Sequence, residues 1–377
     1  MTEKSQKDPM TYAESGVDID VEGNSIRALL SSLTFRRKGE ARAVRGGAGY
    51  SGMIDIGDRY LSLCTDGVGS KLRIAETLQR WDTVGIDCIA MNVNDMICSG
   101  AEPIAFVDYI ATQEPNPKVM EQIGKGLNEG ASLSNMDIVG GETATLPDII
   151  NGLDLAGTCV GTVDKSGIVD PGTVEAGDII IGLPSSGIHS NGFTLVRRVI
   201  EDNDLSLVSP LDEVISSPSW KNRSSSREYR ALVEEWIGYT RDKVLGEVLL
   251  TPTRIYVREV MNLLQNVGQN MVHGMAHITG GGIRNLSRLN PALGYEVNNP
   301  MDPQPVFRMI QVLGSVAEEE MYQTFNMGMG FAIVVDPEGL DEVFDLLKDR
   351  NASVVGRVAE EPGVRIPDLS LDYAGYV

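Results

Sequence analysis

The chain is short of the residues that redox, zinc and nucleic-acid functions require. Only four cysteines occur in 377 residues. Cys64, Cys88, Cys98 and Cys159 show no Cys-x-x-Cys spacing, so they read as buried thiols in a reducing, cytosolic compartment. Basic residues number 32 against 53 acidic ones, and the net charge of −21 repels phosphate backbones and anionic membrane surfaces. Aromatics make up 6% of the chain, too few for base-stacking platforms. No run of about 18 apolar residues is present, and the first residues lack the apolar core of a secretory signal. The expected partners therefore include neither nucleic acid nor membrane.

What is present suits globular cores. The hydrophobic content is 42%, and the length favours two domains. Helical spacing predicts helices over residues 26–33, 81–97, 117–133, 191–200, 254–264 and 340–347. Apolar runs predict strands over 60–64, 104–110, 137–140, 153–163, 178–183 and 331–335. The turn-rich stretch 165–177 reads as a junction between domains 1–172 and 173–377. Strands and helices alternate on both sides of it, which gives an α/β (α+β) class. The serine- and charge-rich segment 216–230 reads as an exposed insertion rather than core.

The strongest chemical signal is Thr65-Asp66-Gly67-Val68-Gly69-Ser70-Lys71 at the end of a predicted strand. Glycines let backbone N–H groups approach phosphate oxygens, lysine adds a point charge, and aspartate can hold a divalent cation. The same run is also an ordinary tight turn with a solvated lysine, and residues alone leave both readings open. The P-loop pattern is absent. Gly47-Ala48-Gly49-Tyr50-Ser51-Gly52 fits a dinucleotide pattern by letter, yet no strand precedes it, so residues 46–52 read as a mobile loop able to cover a ligand.

Two further constellations stand out. Asp66, Asp95 in Asn92-Val93-Asn94-Asp95, and Glu142 in Gly140-Gly141-Glu142-Thr143 form a carboxylate triad able to hold magnesium around a triphosphate; taken singly they are caps and turn residues. Ser185-Ser186-Gly187-Ile188-His189-Ser190-Asn191-Gly192, between a strand and a helix, offers N–H groups, hydroxyls and an imidazole to an anionic substrate. His189 is a candidate general base, and equally a surface residue beside a cap. Gly280-Gly281-Gly282 after His277-Ile278-Thr279 reads as a phosphate-binding turn or a plain one, opening a helix over 283–289.

In this order the motifs resemble the aminoimidazole ribonucleotide (AIR) synthetase, or phosphoribosylformylglycinamidine cyclo-ligase, family. The resemblance adds Tyr12-Ala13-Glu14-Ser15-Gly16-Val17-Asp18-Ile19-Asp20, Gly85-Ile86-Asp87, Gly100-Ala101-Glu102-Pro103, Thr251-Pro252-Thr253-Arg254-Ile255-Tyr256 and Glu320-Met321-Tyr322-Gln323-Thr324-Phe325-Asn326-Met327-Gly328, and it covers most of the chain. It implies an N-terminal ATP-binding domain whose sheet pairs into a β-barrel across a homodimer, and a C-terminal α/β domain. It implies ATP-dependent cyclisation of formylglycinamidine ribonucleotide to aminoimidazole ribonucleotide, with ADP and phosphate released, in purine synthesis. On that basis Gly67, Val68, Gly69, Ser70, Lys71, Asn94 and Thr143 go to ATP. Asp66, Asp95 and Glu142 go to Mg2+. Ser186, Gly187, His189, Asn191, Gly281 and Gly282 go to the ribonucleotide, with Lys71 and His189 catalytic and His189 the proton acceptor.

The chain departs from the commoner family pattern at Thr145-Leu146-Pro147-Asp148 and in a longer segment over 202–248. The alternatives of the same fold are a thiamine-monophosphate kinase, disfavoured by the Ser186 and Thr251 motifs, and a non-catalytic nucleotide-binding subunit, disfavoured by the presence of Asp66, Lys71 and Asp95.

Overall fold

The computed structural model describes residues 19–44, 50–223, 231, 233–236, 238–239, 242–268 and 270–375. Two sheets organise it. The first holds β1 (Gly52–Asp55), β2 (Arg59–Gly67), β3 (Glu102–Thr112), β4 (Asp137–Thr145) and β5 (Leu153–Asp164) in the order β1-β2-β5-β3-β4. Only β3 and β4 run parallel, because the helix Pro117–Ser134 between them returns the chain to the same end. The helix Ile19–Ser32 precedes this sheet, and Ile26, Leu29, Leu30 and Leu33 in and beside it are exposed.

Four helices frame the junction of the two sheets: α1 (Leu72–Leu78), α2 (Val84–Ile97), α3 (the Pro117–Ser134 helix) and α4 (Phe193–Asp202). α2 is buried along nearly its whole length. It crosses α3 at backbone contact: a Cβ on Gly85 would lie 2.3 Å from the Leu127 nitrogen, and one on Gly126 2.3 Å from the Asp82 carbonyl. Glycine at both positions lets α2 sink between the sheet and α3.

The second sheet holds β6 (Ile179–Pro184), β7 (Val272–His277), β8 (Gly294–Glu296), β9 (Met329–Val335), β10 (Ser353–Ala359), β11 (Gly363–Ile366) and β12 (Leu371–Tyr373), in the order β12-β11-β8-β10-β6-β9-β7. β9 is buried at every residue, as its continuous apolar run requires. β7 ends the hydrogen-bonded order, yet all six of its residues are buried, because α2 of the first unit lies against it.

The two-unit α/β expectation holds at the level of mixed sheets and helices. Pairing is mostly antiparallel rather than the product of regular alternation. The five-stranded sheet is open, and no barrel closes among the described residues. The expected exposed insertion over 216–230 is corrected in its first part: the helix Pro218–Arg223 buries Trp220 and packs against the helices Leu211–Ser216 and Pro305–Gly314. Residues 224–230 lie outside the described residues. The predicted helix after the triple glycine is a 3-10 helix, Gly282–Arg288. No described helix is long and apolar enough to cross a membrane.

Candidate active site

β2 delivers Asp66 beside α2, which delivers Asp95. Burial, then the neighbouring Asp95 charge, pushes the Asp66 carboxyl up to about 6, while the Gly67 N–H and His277 pull it down. Two carboxylates forced together in a half-buried site repel one another, and a divalent cation is the natural relief. His277, at the end of β7, is fully buried, and its Nδ1 lies 2.8 Å from Asp95 Oδ1. A cavity of about 420 Å3 opens beside this group, lined by Val44, Tyr50, Ser51, Cys64, Thr65 and Asp95 among others. Val44 and Tyr50 flank residues 45–49, so most of the expected glycine-rich loop lies outside the described residues.

Glu142 does not join them. Strand register aligns Asp66 with Gly157, Gly157 with Asp108 and Asp108 with Gly141. These residues therefore share one face of the sheet. Glu142 sits one residue on, opposite Tyr109, and faces the other way. Of the three carboxylates only Asp66 and Asp95 come together in one chain, and the described residues contain no cluster of three metal-binding side chains.

Lys71 is corrected more sharply. It is fully buried, with Nζ 2.9 Å from Asp87 Oδ1 and 2.8 Å from Oδ2, and it donates to the Thr251 carbonyl at 2.7 Å. Desolvation lowers its pKa against the pull of Asp87. Asp87 Oδ1 also accepts from Thr253 N and Oγ1, each at 2.7 Å. This lysine ties the two units together instead of facing a cleft. The rest of its turn is partly committed: Gly67 N–H goes to Asp66 Oδ1, Val68 is buried with its N–H on Leu155 O, and Ser70 meets Thr194 at 3.3 Å. Gly69 is exposed at φ +69°. Asn94 is another tie, corrected from its expected nucleotide role: it is buried, accepts from Tyr256 N and donates to Arg254 O. Thr143 is exposed on β4.

The Ser186–Gly192 loop is assembled by the Thr251–Tyr256 run. Ser186 Oγ donates to Pro252 O, Ser190 meets Thr253 at 3.1 Å, and Asn326 donates to the Gly187 carbonyl. His189 is buried at φ +65° and accepts the Ser186 N–H on Nε2 at 3.2 Å. That bond leaves the proton on Nδ1, which has no partner. Burial, followed by the nearby His277, Lys71 and Arg254, holds its pKa well below the ordinary histidine value. With its lone pair engaged, His189 is not poised as a proton acceptor. Asn191 is half-buried, its Nδ2 unpartnered, and its Oδ1 3.0 Å from where a Cβ on Gly280 would stand. Gly281 and Gly282 both have positive φ, and a Cβ on Gly282 would lie 2.0 Å from Tyr322 O. The Ser186 loop and the triple-glycine turn thus meet at Asn191. The reading from sequence missed the roles of Asp87, Thr253 and His277; the signal for His277 was its place as one of three histidines, three residues before a triple glycine.

Residues 49–163 match the AIR synthase related protein N-terminal domain, and residues 175–368 match its C-terminal domain. The chain belongs to the AIR synthetase family. It is 44% identical over 363 residues to the phosphoribosylformylglycinamidine cyclo-ligase of Methanosarcina mazei, covering 96% of this chain and 98% of the relative. It is 47% identical over 353 residues to that of Methanocaldococcus jannaschii, covering 93% of each. Among solved structures, the thiamine-monophosphate kinase of Stenotrophomonas maltophilia superposes with a TM-score of 0.58 at 17% identity, over 92% of this chain and 96% of that one. T. maritima PurL complexed with ADP superposes with a TM-score of 0.55 at 16% identity, over 88% of this chain and 46% of that one. At such identities the structures share the AIR-synthetase fold alone.

Proposed function

We infer that the chain catalyses the ATP-dependent closure of formylglycinamidine ribonucleotide to aminoimidazole ribonucleotide, with ADP and phosphate as the other products. The observation that carries this is the near-full-length identity to the cyclo-ligases, together with the meeting of Asp66 and Asp95 where the motif loops of both units converge. A formyl oxygen is a poor leaving group. Transfer of the γ-phosphoryl group to it gives an iminophosphate, the ribosyl-bearing amidine nitrogen attacks the activated carbon, and phosphate departs. Such chemistry is mainly positioning and charge neutralisation.

Asp66 and Asp95 form an all-oxygen, doubly acidic donor set that fits Mg2+, and they are the residues that would hold it. The ion supplies charge neutralisation to the phosphates. Gly69 and Ser70 are the outward part of the turn and would meet phosphate oxygens. The unpartnered Asn191 Nδ2 beside Gly280 gives the ribonucleotide a buried donor. Ser186, Gly187 and His189 shape the wall behind it. We place the domain boundary near 172–173, between the two matched segments.

The nucleotide-binding units pair as a homodimer through the first sheet. Val107, Tyr109, Ile138 and Val139 on β3 and β4 are exposed, Val139 by 66%, and an open edge with such an apolar surface calls for a cover. Asp95→Asn tests the reaction: the variant folds with wild-type secondary structure and loses the aromatic amine product and ADP release. Near-normal turnover would remove Asp95 from the site.

A further inference from the structure

The buried imidazole of His277 stands between Asp95, on its Nδ1 side at 2.8 Å, and Asn94, whose Nδ2 lies 3.4 Å from Nε2. The amide of Asn94 has one orientation open to it. Its Oδ1 accepts from Tyr256 N at 3.0 Å, and its Nδ2 donates to Arg254 O at 2.8 Å, so the group facing His277 is the second N–H of the amide. Nε2 must accept it, and the ring proton resides on Nδ1, directed at the Asp95 carboxylate. His277 is thereby a fixed donor, turned toward Asp95 by a residue whose own orientation depends on backbone groups of the second unit.

We propose that His277 is a positioning residue for Asp95, and that through Asn94 its hold requires the Arg254–Tyr256 backbone of the C-terminal unit to be seated on α2. Asp95 Oδ1 is held by the imidazole, and the residue lines the cavity within reach of the Asp66 charge. If the second unit lifts from α2, Asn94 loses the groups that orient it and His277 is free to change tautomer, so Asp95 is held only in the closed arrangement. The inference rests on the reading of Asp95 as a magnesium ligand. Hydrogen-bond partners of this kind set the orientation and affinity of carboxylate and histidine ligands.

Two measurements on the full-length protein test it. Long-range 1H–15N NMR of the three histidines should report His277 as the Nδ1–H tautomer; an Nε2–H tautomer overturns the proposal, and this readout needs no variant to fold. Mn2+ binding, followed by electron paramagnetic resonance with a non-hydrolysable ATP analogue, should weaken by about 10–100-fold in His277→Phe and in Asp95→Asn, and recover to within about threefold in His277→Asn, whose amide can donate near the Nδ1 position. Loss in Asp95→Asn with wild-type binding in His277→Phe overturns the positioning role alone. Wild-type binding in Asp95→Asn overturns the metal reading and the proposal with it.

Discussion

Replacing Lys71 by Met distinguishes a structural ammonium from a phosphate ligand. In the structure the lysine and Asp87 have no exposed side-chain surface, and Asp87 Oδ1 accepts from Lys71 and twice from Thr253, while Oδ2 pairs with the ammonium by charge at 2.8 Å. Removing the ammonium leaves a buried carboxylate with two neutral donors. Breaking one side of such a pair costs about 3–5 kcal/mol, whereas replacing both partners by apolar groups of similar volume is close to neutral. Lys71→Met should therefore lose about 3–5 kcal/mol in urea denaturation, and Lys71→Met with Asp87→Leu should regain only part of it, because Thr253 N and the Thr251 carbonyl are left without these partners. Trp81, buried close before α2, gives a fluorescence signal in the affected region. The folded fraction of Lys71→Met should retain its KM for ATP, because the ammonium touches the Thr251 carbonyl and Asp87 and no open cleft. The reasoning is refuted if the single variant stays within about 1 kcal/mol of wild type while its KM for ATP rises by about tenfold or more, a loss of about 1.4 kcal/mol in nucleotide binding.

Two other perturbations are informative. His189 is neutral in the fold at pH values where the unfolded chain binds a proton, so its contribution to stability should be flat above about pH 6.5 and fall by up to about 1.4 kcal/mol per unit below it, against an opposite contribution from the raised Asp66; His189→Asn, which tolerates the positive φ, should remove the His189 part of the slope in denaturation series at pH 7.5 and 5.5. An unchanged slope would mean that His189 titrates normally. Val139→Glu places a charge on the exposed apolar face of β4 and should convert a dimer to monomer in sedimentation velocity without lowering the unfolding midpoint of the monomer; a dimer of wild-type affinity would put the interface elsewhere.

The elements with strong periodicity were legible: α2, α3, β3, β5, β6 and β9 lie where the apolar pattern puts them. β7 was not, since Val272–His277 contains a glycine and two histidines and owes its burial to α2 rather than to its own pattern. Glu142 shows how a local cue misleads. Gly140-Gly141 looks like the end of a strand, which made Glu142 a terminal ligand, yet β4 runs on to Thr145. Gly141 is a glycine because the Asp108 carboxylate occupies its side-chain space, 2.4 Å from an ideal Cβ. Lys71 and Asn94 were misassigned for a different reason. A buried tie between distant segments and a ligand-binding group call for the same residue types, and only the partners, Asp87 with Thr251 and Arg254 with Tyr256, separate them.

Those ties have a common geometry. Asp87, Asn94 and Asp95 lie seven and eight positions apart on α2, two helical turns, and therefore on one stripe. Each meets a different part of the second unit: Asp87 meets Thr253, Asn94 meets the backbone at Arg254 and Tyr256, and Asp95 meets His277. An apolar stripe would also hold the units together, but hydrophobic contact is non-directional and tolerates sliding. Directed hydrogen bonds at three points along two turns set the register. A shift of one turn would leave Asp87 and Lys71 buried without Thr253 and Thr251, at a cost of several kcal/mol for unsatisfied polar groups. The same polar residues that conceal Lys71 from a ligand therefore specify where Asp95 stands relative to Asp66, and the precision of the open carboxylate pair derives from the closed one.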